Sequence, residues 1–189
     1  MTRLLQLLVL LSALLSGAAL ASDDAALWDG LRSGRHVALM RHAEAPGVGD
    51  PSGFRLDDCS TQRNLSAEGR RQAEQAGALF KKMGVARATV YSSQWCRCLD
   101  TARGLGLGTV VAQPALNSFF ENGGTEKAQT GQLRELIRER PAGMALVLVT
   151  HQVNITALTG VYPAPGEIVV LRPDKDKDGV VVLGRLATK

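Results

Sequence analysis

HVALMRHAEA, residues 36–45, holds a short apolar run, Val37 to Met40, between the turn formers Ser33-Gly34 and Pro46-Gly47. A run of that length with those borders predicts a buried strand. Arg41 and His42 stand at its carboxyl end. In an α/β sheet, ligands bind in the crevice beyond the carboxyl ends of the strands, so a guanidinium and an imidazole placed there face a site and not a core. The pair suits a phosphate group: Arg41 offers a planar fork of N–H donors, and a neutral His42 can attack phosphorus through a ring nitrogen. An ordinary strand can also end in Arg-His, so the rest of the chain has to decide.

Downstream, strand and helix patterns alternate, as in an α/β fold. Residues 46–58 are loop by their Gly, Pro and Asp content. Ser66 is placed to cap a helix from Ala67 to Met83, with Glu68 in its first turn, Ala73, Ala76, Gly77, Phe80 and Met83 at helical spacing, and Gly84 as the stop. Ala88 to Tyr91 is a second strand, ended by Ser92-Ser93, which are expected to cap a helix carrying Cys96, Arg97 and Cys98. Arg97 falls in the first turn, where free backbone N–H groups and the helix dipole favour an anion. Thr109 to Ala112 reads as a third strand, residues 116–124 as a loop with two exposed aromatics, and Thr125 to Arg140 as a helix stopped by Pro141. Met144 to Thr150 is continuously apolar, as a central parallel strand is. It ends in His151, again at the carboxyl end of a strand, and Gln152 to Thr159 reads as a short helix. Glu167 to Arg172 and Val180 to Leu186 form a closing pair. The turn between them carries Asp174, Asp176, Asp178 and Gly179, like the first half of an EF-hand loop. The twelfth position, where Ca²⁺ needs a bidentate Glu, is Arg185, so a plain polar turn is expected.

The chain opens with Arg3, an apolar run from Leu4 to Leu15 and the small-x-small pattern Ala19-Leu20-Ala21, the layout of an export signal over 1–21. That run is shorter than the ~20 apolar residues of a spanning helix, so no stable membrane insertion is expected once the signal is removed. What remains, 22–189, is one domain of about 168 residues, expected in the periplasm or secreted. The 22 Lys and Arg against 18 Asp and Glu give a net charge of +4, one of whose cations, Arg3, leaves with the signal. A mildly basic chain with 4% aromatic residues and no run of Lys or Arg offers no nucleic-acid surface, whereas a few arginines converging on one pocket suit a small anionic substrate.

Four motifs, in order, resemble those of the histidine phosphatase superfamily, the phosphoglycerate-mutase-like fold. Leu39-Met40-Arg41-His42-Ala43-Glu44 is similar to its Arg-His-Gly signature, and Asn64-Leu65-Ser66 with Gly69 and Gln72-Ala73 to its Leu-Ser/Thr-x-x-Gly-x-x-Gln-Ala helix. Ser92-Ser93, Arg97 and Thr101-Ala102 resemble its Ser-Ser-x-x-x-Arg-x-x-x-Thr-Ala element, and Val149-Thr150-His151 its second histidine. The resemblance covers about 40–160 and implies a doubly wound three-layer α/β/α sandwich with a mostly parallel central sheet. It also implies a phosphohistidine mechanism, and together with the export signal it leads to the expectation of an exported phosphohydrolase that cleaves phosphomonoesters. His42 would be the nucleophile, and Arg41, Arg97 and His151 would bind the substrate's equatorial oxygens, where transition-state charge is spread. Such positioning leaves no need for a metal or other cofactor, and His36, His42 and His151 lack the spacing of metal ligands. His36 reads as structural.

Two departures stand out. Ala43 replaces the Gly of Arg-His-Gly, and Leu116 is followed by Asn117-Ser118 where members with a general acid carry a Glu. Glu121 is the best replacement as catalytic acid, with Asp57 and Asp58 as rivals. Without an acid only good leaving groups turn over fast, and the same pocket would then serve a catalytically weak phosphate-ligand binding or sensor module. Some exported members of similar length are associated with phosphate on the lipopolysaccharide core, so the expected partner is a small phosphorylated substrate, with an envelope sugar phosphate as one candidate. Three cysteines in an oxidising compartment leave one free. Cys59 and Cys96, both expected at the mouth of the site, are favoured as the bonded pair, and Cys98 as a buried small hydrophobe.

Overall fold

The computed structural model describes residues 24–188 apart from 141, 175, 176 and 178. The expected export signal over 1–21, Pro141 as a helix stop, and Asp176 and Asp178 of the polar turn lie outside the described residues. Residues 24–32 are helical, α1. There follow β1 (Val37–Arg41), α2 (Ala67–Lys82), β2 (Ala88–Ser92), α3 (Cys96–Leu105), β3 (Val110–Ala112), α4 (Glu126–Arg138), β4 (Ala145–Thr150), α5 (Gln152–Thr159), β5 (Ile168–Pro173) and β6 (Val180–Leu186).

The six strands form one sheet in the order β3-β2-β4-β1-β5-β6. β3, β2, β4 and β1 are parallel neighbours, while β5 and β6 extend the sheet antiparallel. Side chains alternate across a strand, and each central strand is apolar on both faces because both are covered. Val37 and Leu39 of β1 pack with Leu146 and Leu148 beneath Leu133 and Ile137 of α4 and Ile155 of α5. Ala38 and Met40 face the other way, with Val147 and Val149, beneath Trp28 and Leu31 of α1, Phe80 of α2 and Leu105 of α3. The result is the expected three-layer α/β/α sandwich with a mixed, mostly parallel sheet. Small residues let α2 and α3 lie close: a Cβ on Gly77 would stand 2.1 Å from the Leu105 carbonyl oxygen. The turn read as half an EF-hand joins β5 to β6, two strands and not two helices.

Two local expectations fail. Ser92 and Ser93 do not cap α3; Trp95 takes the N-cap position with no side-chain bond, because the Ser93 hydroxyl lies 2.8 Å from Nε2 of His151. Of the two aromatics after Leu116, Phe120 is exposed but Phe119 is buried; sinking one ring gives an otherwise polar loop an apolar anchor.

Cys59 and Cys96 are bonded across a separation of 37 residues, and Cys98 is free and buried. In the chain-entropy model a loop of that length is worth about 3 to 4 kcal/mol, which corresponds to a melting point lowered by roughly 10 °C on reduction. The bridge ties the first loop to the start of α3, not to the strand ends. Reduction is therefore expected to raise KM more than it lowers kcat. An unchanged melting point after reduction, checked by calorimetry with thiol alkylation, would contradict this.

Candidate active site

β2, β4 and β1 are adjacent, and their register puts Arg41 beside Thr150 and Ser92 beside Val149. Three carboxyl ends therefore open at one level. The backbone ladder continues past them: His42 N–H donates to the Thr150 carbonyl at 2.9 Å, and Ser93 N–H to that of Val149 at 2.9 Å. His42, Ser93 and His151 are held by main-chain bonds before any ligand arrives.

His42 is 3% exposed. Its Nδ1 lies 2.7 Å from the Ala43 carbonyl oxygen, which can only accept, so Nδ1 carries the proton and Nε2 keeps a lone pair. Burial first, and then the nearby Arg97 guanidinium, press the imidazole pKa down to about 3. The ring is thus neutral at physiological pH. His151 is likewise pushed well below the ordinary histidine value, by burial and then by Arg97. Its Nδ1 is 3.4 Å from Nη2 of Arg97. A guanidinium only donates, so Nδ1 accepts and Nε2 bears the hydrogen given to Ser93. The two rings stand edge to face, centroids 5.5 Å apart.

Two buried imidazoles held neutral have a consequence for stability. Between the unfolded value near 6.5 and the folded value of about 3 for His42, the unfolded chain binds protons that the folded one refuses. The stability from these groups is full above pH 6.5 and is lost as pH falls toward 3. Melting temperature is expected to drop from pH 7 to pH 4, with a shallower drop in His42→Ala; parallel curves for the two proteins would contradict it.

Arg41 Nη1 donates to the Pro163 carbonyl at 2.9 Å. Arg97 Nη1 meets the two Asp50 oxygens at 2.8 and 3.1 Å. By contrast, Nε of Arg41 and Nε of Arg97 are buried with no hydrogen-bond partner. Buried donors are rarely left unpaired, and an anion held between these two guanidinium groups would satisfy both. A further cation, Arg63, joins them. It is anchored through Nε to the Gly49 carbonyl at 2.7 Å and through Nη1 to that of Ala45 at 2.5 Å. Burial, and then repulsion from Arg97, lower its pKa. Sequence reasoning passed over Arg63; the signal was its place directly before Asn64-Leu65-Ser66, on the chain returning from the strand end.

The remaining motif residues set the loop after β1. Thr101 accepts from Ala43 N–H at 3.0 Å and donates to the Arg97 carbonyl at 2.7 Å. Gln72 accepts from Glu44 N–H at 3.0 Å and donates to the Pro165 carbonyl at 2.8 Å. At Gly69 a Cβ would lie 2.0 Å from the Glu44 carbonyl oxygen, so no side chain fits there.

Arg41, His42, Arg63, Arg97 and His151 floor a cavity of about 660 Å³ whose mouth includes Val48, Phe120, Tyr162 and Glu121. Of the expected acids, Glu121 lines the cavity and Asp57 and Asp58 do not. Asp58 instead caps the short turn Cys59–Thr61, and both aspartates pair with Arg55. His36 sits just before β1, at the opposite end from the site, packed on Gly30. Among the described residues no group of three or more His, Cys, Asp or Glu gathers as a metal site, and no helix is long and apolar enough to cross a membrane.

Residues 37–122 match the family model of the histidine phosphatase superfamily (branch 1). No curated protein matches the sequence. Among solved structures, the protein histidine phosphatase SixA complexed with tungstate is similar at TM-score 0.57 and 18% identity, over 81% of this chain and 97% of that one. Phosphoserine phosphatase from Entamoeba histolytica is similar at TM-score 0.56 and 17% identity, over 82% and 98%. A mycobacterial glucosyl-3-phosphoglycerate phosphatase follows at 0.51 and 21%, over 72% and 89%. At these identities the likeness establishes the fold.

Proposed function

We propose that this chain, which belongs to the histidine phosphatase superfamily through residues 37–122, is an exported phosphomonoesterase that works through His42. The observation that carries the reading is the pairing of a neutral His42 whose Nε2 lone pair is free with unpartnered N–H groups on Arg41 and Arg97. Nε2 attacks phosphorus in line, an N–P bond forms as the P–O bond of the ester breaks, and the leaving oxygen takes a proton from Glu121. Arg41 and Arg97 hold the equatorial oxygens, and His151 joins them by passing its Nε2 hydrogen from Ser93 to a phosphoryl oxygen. Water then attacks the phosphohistidine, gives its proton to the Glu121 carboxylate, and frees His42.

Charge divides the cavity. Arginines and histidines form the floor, while the mouth offers Val48, Phe120 and Tyr162 with Glu121. That suits a small substrate with one phosphate and a neutral remainder, and disfavours a second anionic group near Glu121. An envelope sugar phosphate is a candidate of this kind. With residues 1–21 as an export signal, the domain 22–189 acts in the periplasm or outside the cell, and the Cys59–Cys96 bond supports an oxidising compartment.

Purified protein is expected to hydrolyse p-nitrophenyl phosphate without added metal and to be inhibited by vanadate. Glu121→Gln is expected to slow alkyl and sugar phosphates, whose leaving groups need a proton, by about 10²-fold, and p-nitrophenyl phosphate far less. Equal slowing of both would remove Glu121 as the acid. Tight vanadate binding with no turnover of any ester would favour the binding or sensor module instead.

A further inference from the structure

Asp50 was hidden in the sequence as one aspartate of a glycine-rich loop. Gly47 and Gly49 both adopt positive φ, 92° and 68°, and the turn they allow brings the Asp50 carboxylate inward against the floor of the cavity. There it accepts from Arg97 Nη1 with both oxygens, from Arg63 N–H at 2.9 Å, and from Trp95 Nε1 at 3.0 Å. Its own N–H approaches Glu121 Oε1 at 3.5 Å. The Arg97 and Asp50 side chains are 3% and 5% exposed, unlike the solvent-facing pairs Arg71–Glu68 or Arg103–Asp100. Burial alone would raise the Asp50 carboxyl, but the hydrogen bonds from Arg97 and Arg63 outweigh it and hold the group below its ordinary range.

A buried ion pair is a poor source of net stability, since desolvation consumes most of the attraction. What this one fixes is direction. It occupies Nη1 of Arg97, while Nε has no partner and Nη2 has only the 3.4 Å approach to His151. We infer that Asp50 is the positioning residue of the site: by holding Arg97 at Nη1 it turns the Nε and Nη2 edge toward the phosphoryl oxygens. It also offsets one of three neighbouring guanidinium charges, Arg41, Arg63 and Arg97, that repel one another. Asp50 acts through Arg97, so this role rests on the phosphatase reading above.

The opposite role, a resident anion that competes with phosphate for Arg97, predicts the opposite sign. Asp50→Asn keeps one acceptor oxygen, for Arg63 N–H or for Trp95 Nε1, which bond different oxygens of Asp50, and weakens the hold on Arg97. If Asp50 only competed, losing its charge would tighten vanadate; if it positions Arg97, the vanadate inhibition constant rises about 10- to 100-fold, and kcat/KM for p-nitrophenyl phosphate falls by a similar factor. An inhibition constant does not depend on the fraction of protein that is folded, so a merely structural role would lower the amplitude of turnover and leave the constant alone. Asp50→Glu keeps the buried charge and displaces the carboxylate by one methylene. Its constant is expected between the other two, at least about threefold above that of the unsubstituted protein. Where Asp50→Asn does not fold, an unchanged constant in Asp50→Glu overturns the role; where it does fold, an unchanged or lower constant in Asp50→Asn overturns it. Unsubstituted protein that binds neither vanadate nor inorganic phosphate would overturn the phosphatase reading itself, and this role with it.

Discussion

His42→Ala is expected to lower kcat by about 10⁴- to 10⁶-fold, the scale seen when a covalent nucleophile is removed from a site whose other parts remain. The size follows from what is lost. No other side chain on the cavity floor combines burial, neutrality and a free ring lone pair: the acceptor nitrogen of His151 faces Arg97, and its other nitrogen carries the hydrogen shared with Ser93. The fold should tolerate the change. Truncation removes one hydrogen bond, to the Ala43 carbonyl, a cost of about 1 kcal/mol, while the backbone bond from His42 N–H to Thr150 survives. Steady-state kinetics beside a melting curve check the result. A folded variant that keeps kcat within tenfold of the parent would end the covalent mechanism.

Arg97→Ala removes more than charge. Losing its donors to the equatorial oxygens is expected to cost about 10²- to 10³-fold in kcat/KM. It also leaves Asp50 buried, ionised and without its guanidinium, a loss of about 3 to 5 kcal/mol. The two effects separate in the double variant. Arg97→Ala with Asp50→Ala buries no unpaired charge and is expected to recover much of the stability but none of the rate, whereas independent sites would show additive losses of stability. Urea unfolding of the single and double variants, with kinetics on the same samples, tests both parts; additive destabilisation would contradict the buried pair.

How far the sequence could be read follows from where its constraints lie. Val37 to Met40 and Met144 to Thr150 are apolar on both faces because helices cover both sides of the sheet, and that pattern is local enough to read. Arg41, His42 and His151 were legible for the same reason: the end of a strand tells where its next residues point. Arg97 was legible from its place in the first turn of a helix. Arg63 and Asp50 were not, although they contact Arg97 and each other. Both belong to the excursion between β1 and α2, and their inward course depends on contacts with Trp95, Arg97 and the Ala45 and Gly49 carbonyls. Such contacts are made only after the chain has closed on itself, and no periodicity records them. Ser93 was misread because local rules favour a serine as a helix cap, and the tertiary partner His151 outbid the helix. Glu121 could not be separated from Asp57 and Asp58 by spacing; in the fold both aspartates pair with Arg55 away from the cavity, which Glu121 lines.

The most direct measurement is the capture of the intermediate. Protein mixed with ³²P-labelled substrate, quenched in base within milliseconds and digested should yield a label that is stable to alkali, released by acid, and carried by the peptide containing His42; the His42→Ala protein should yield none. Label on any other residue, or full turnover of substrate with no labelled peptide at the earliest times, would contradict His42 as the nucleophile.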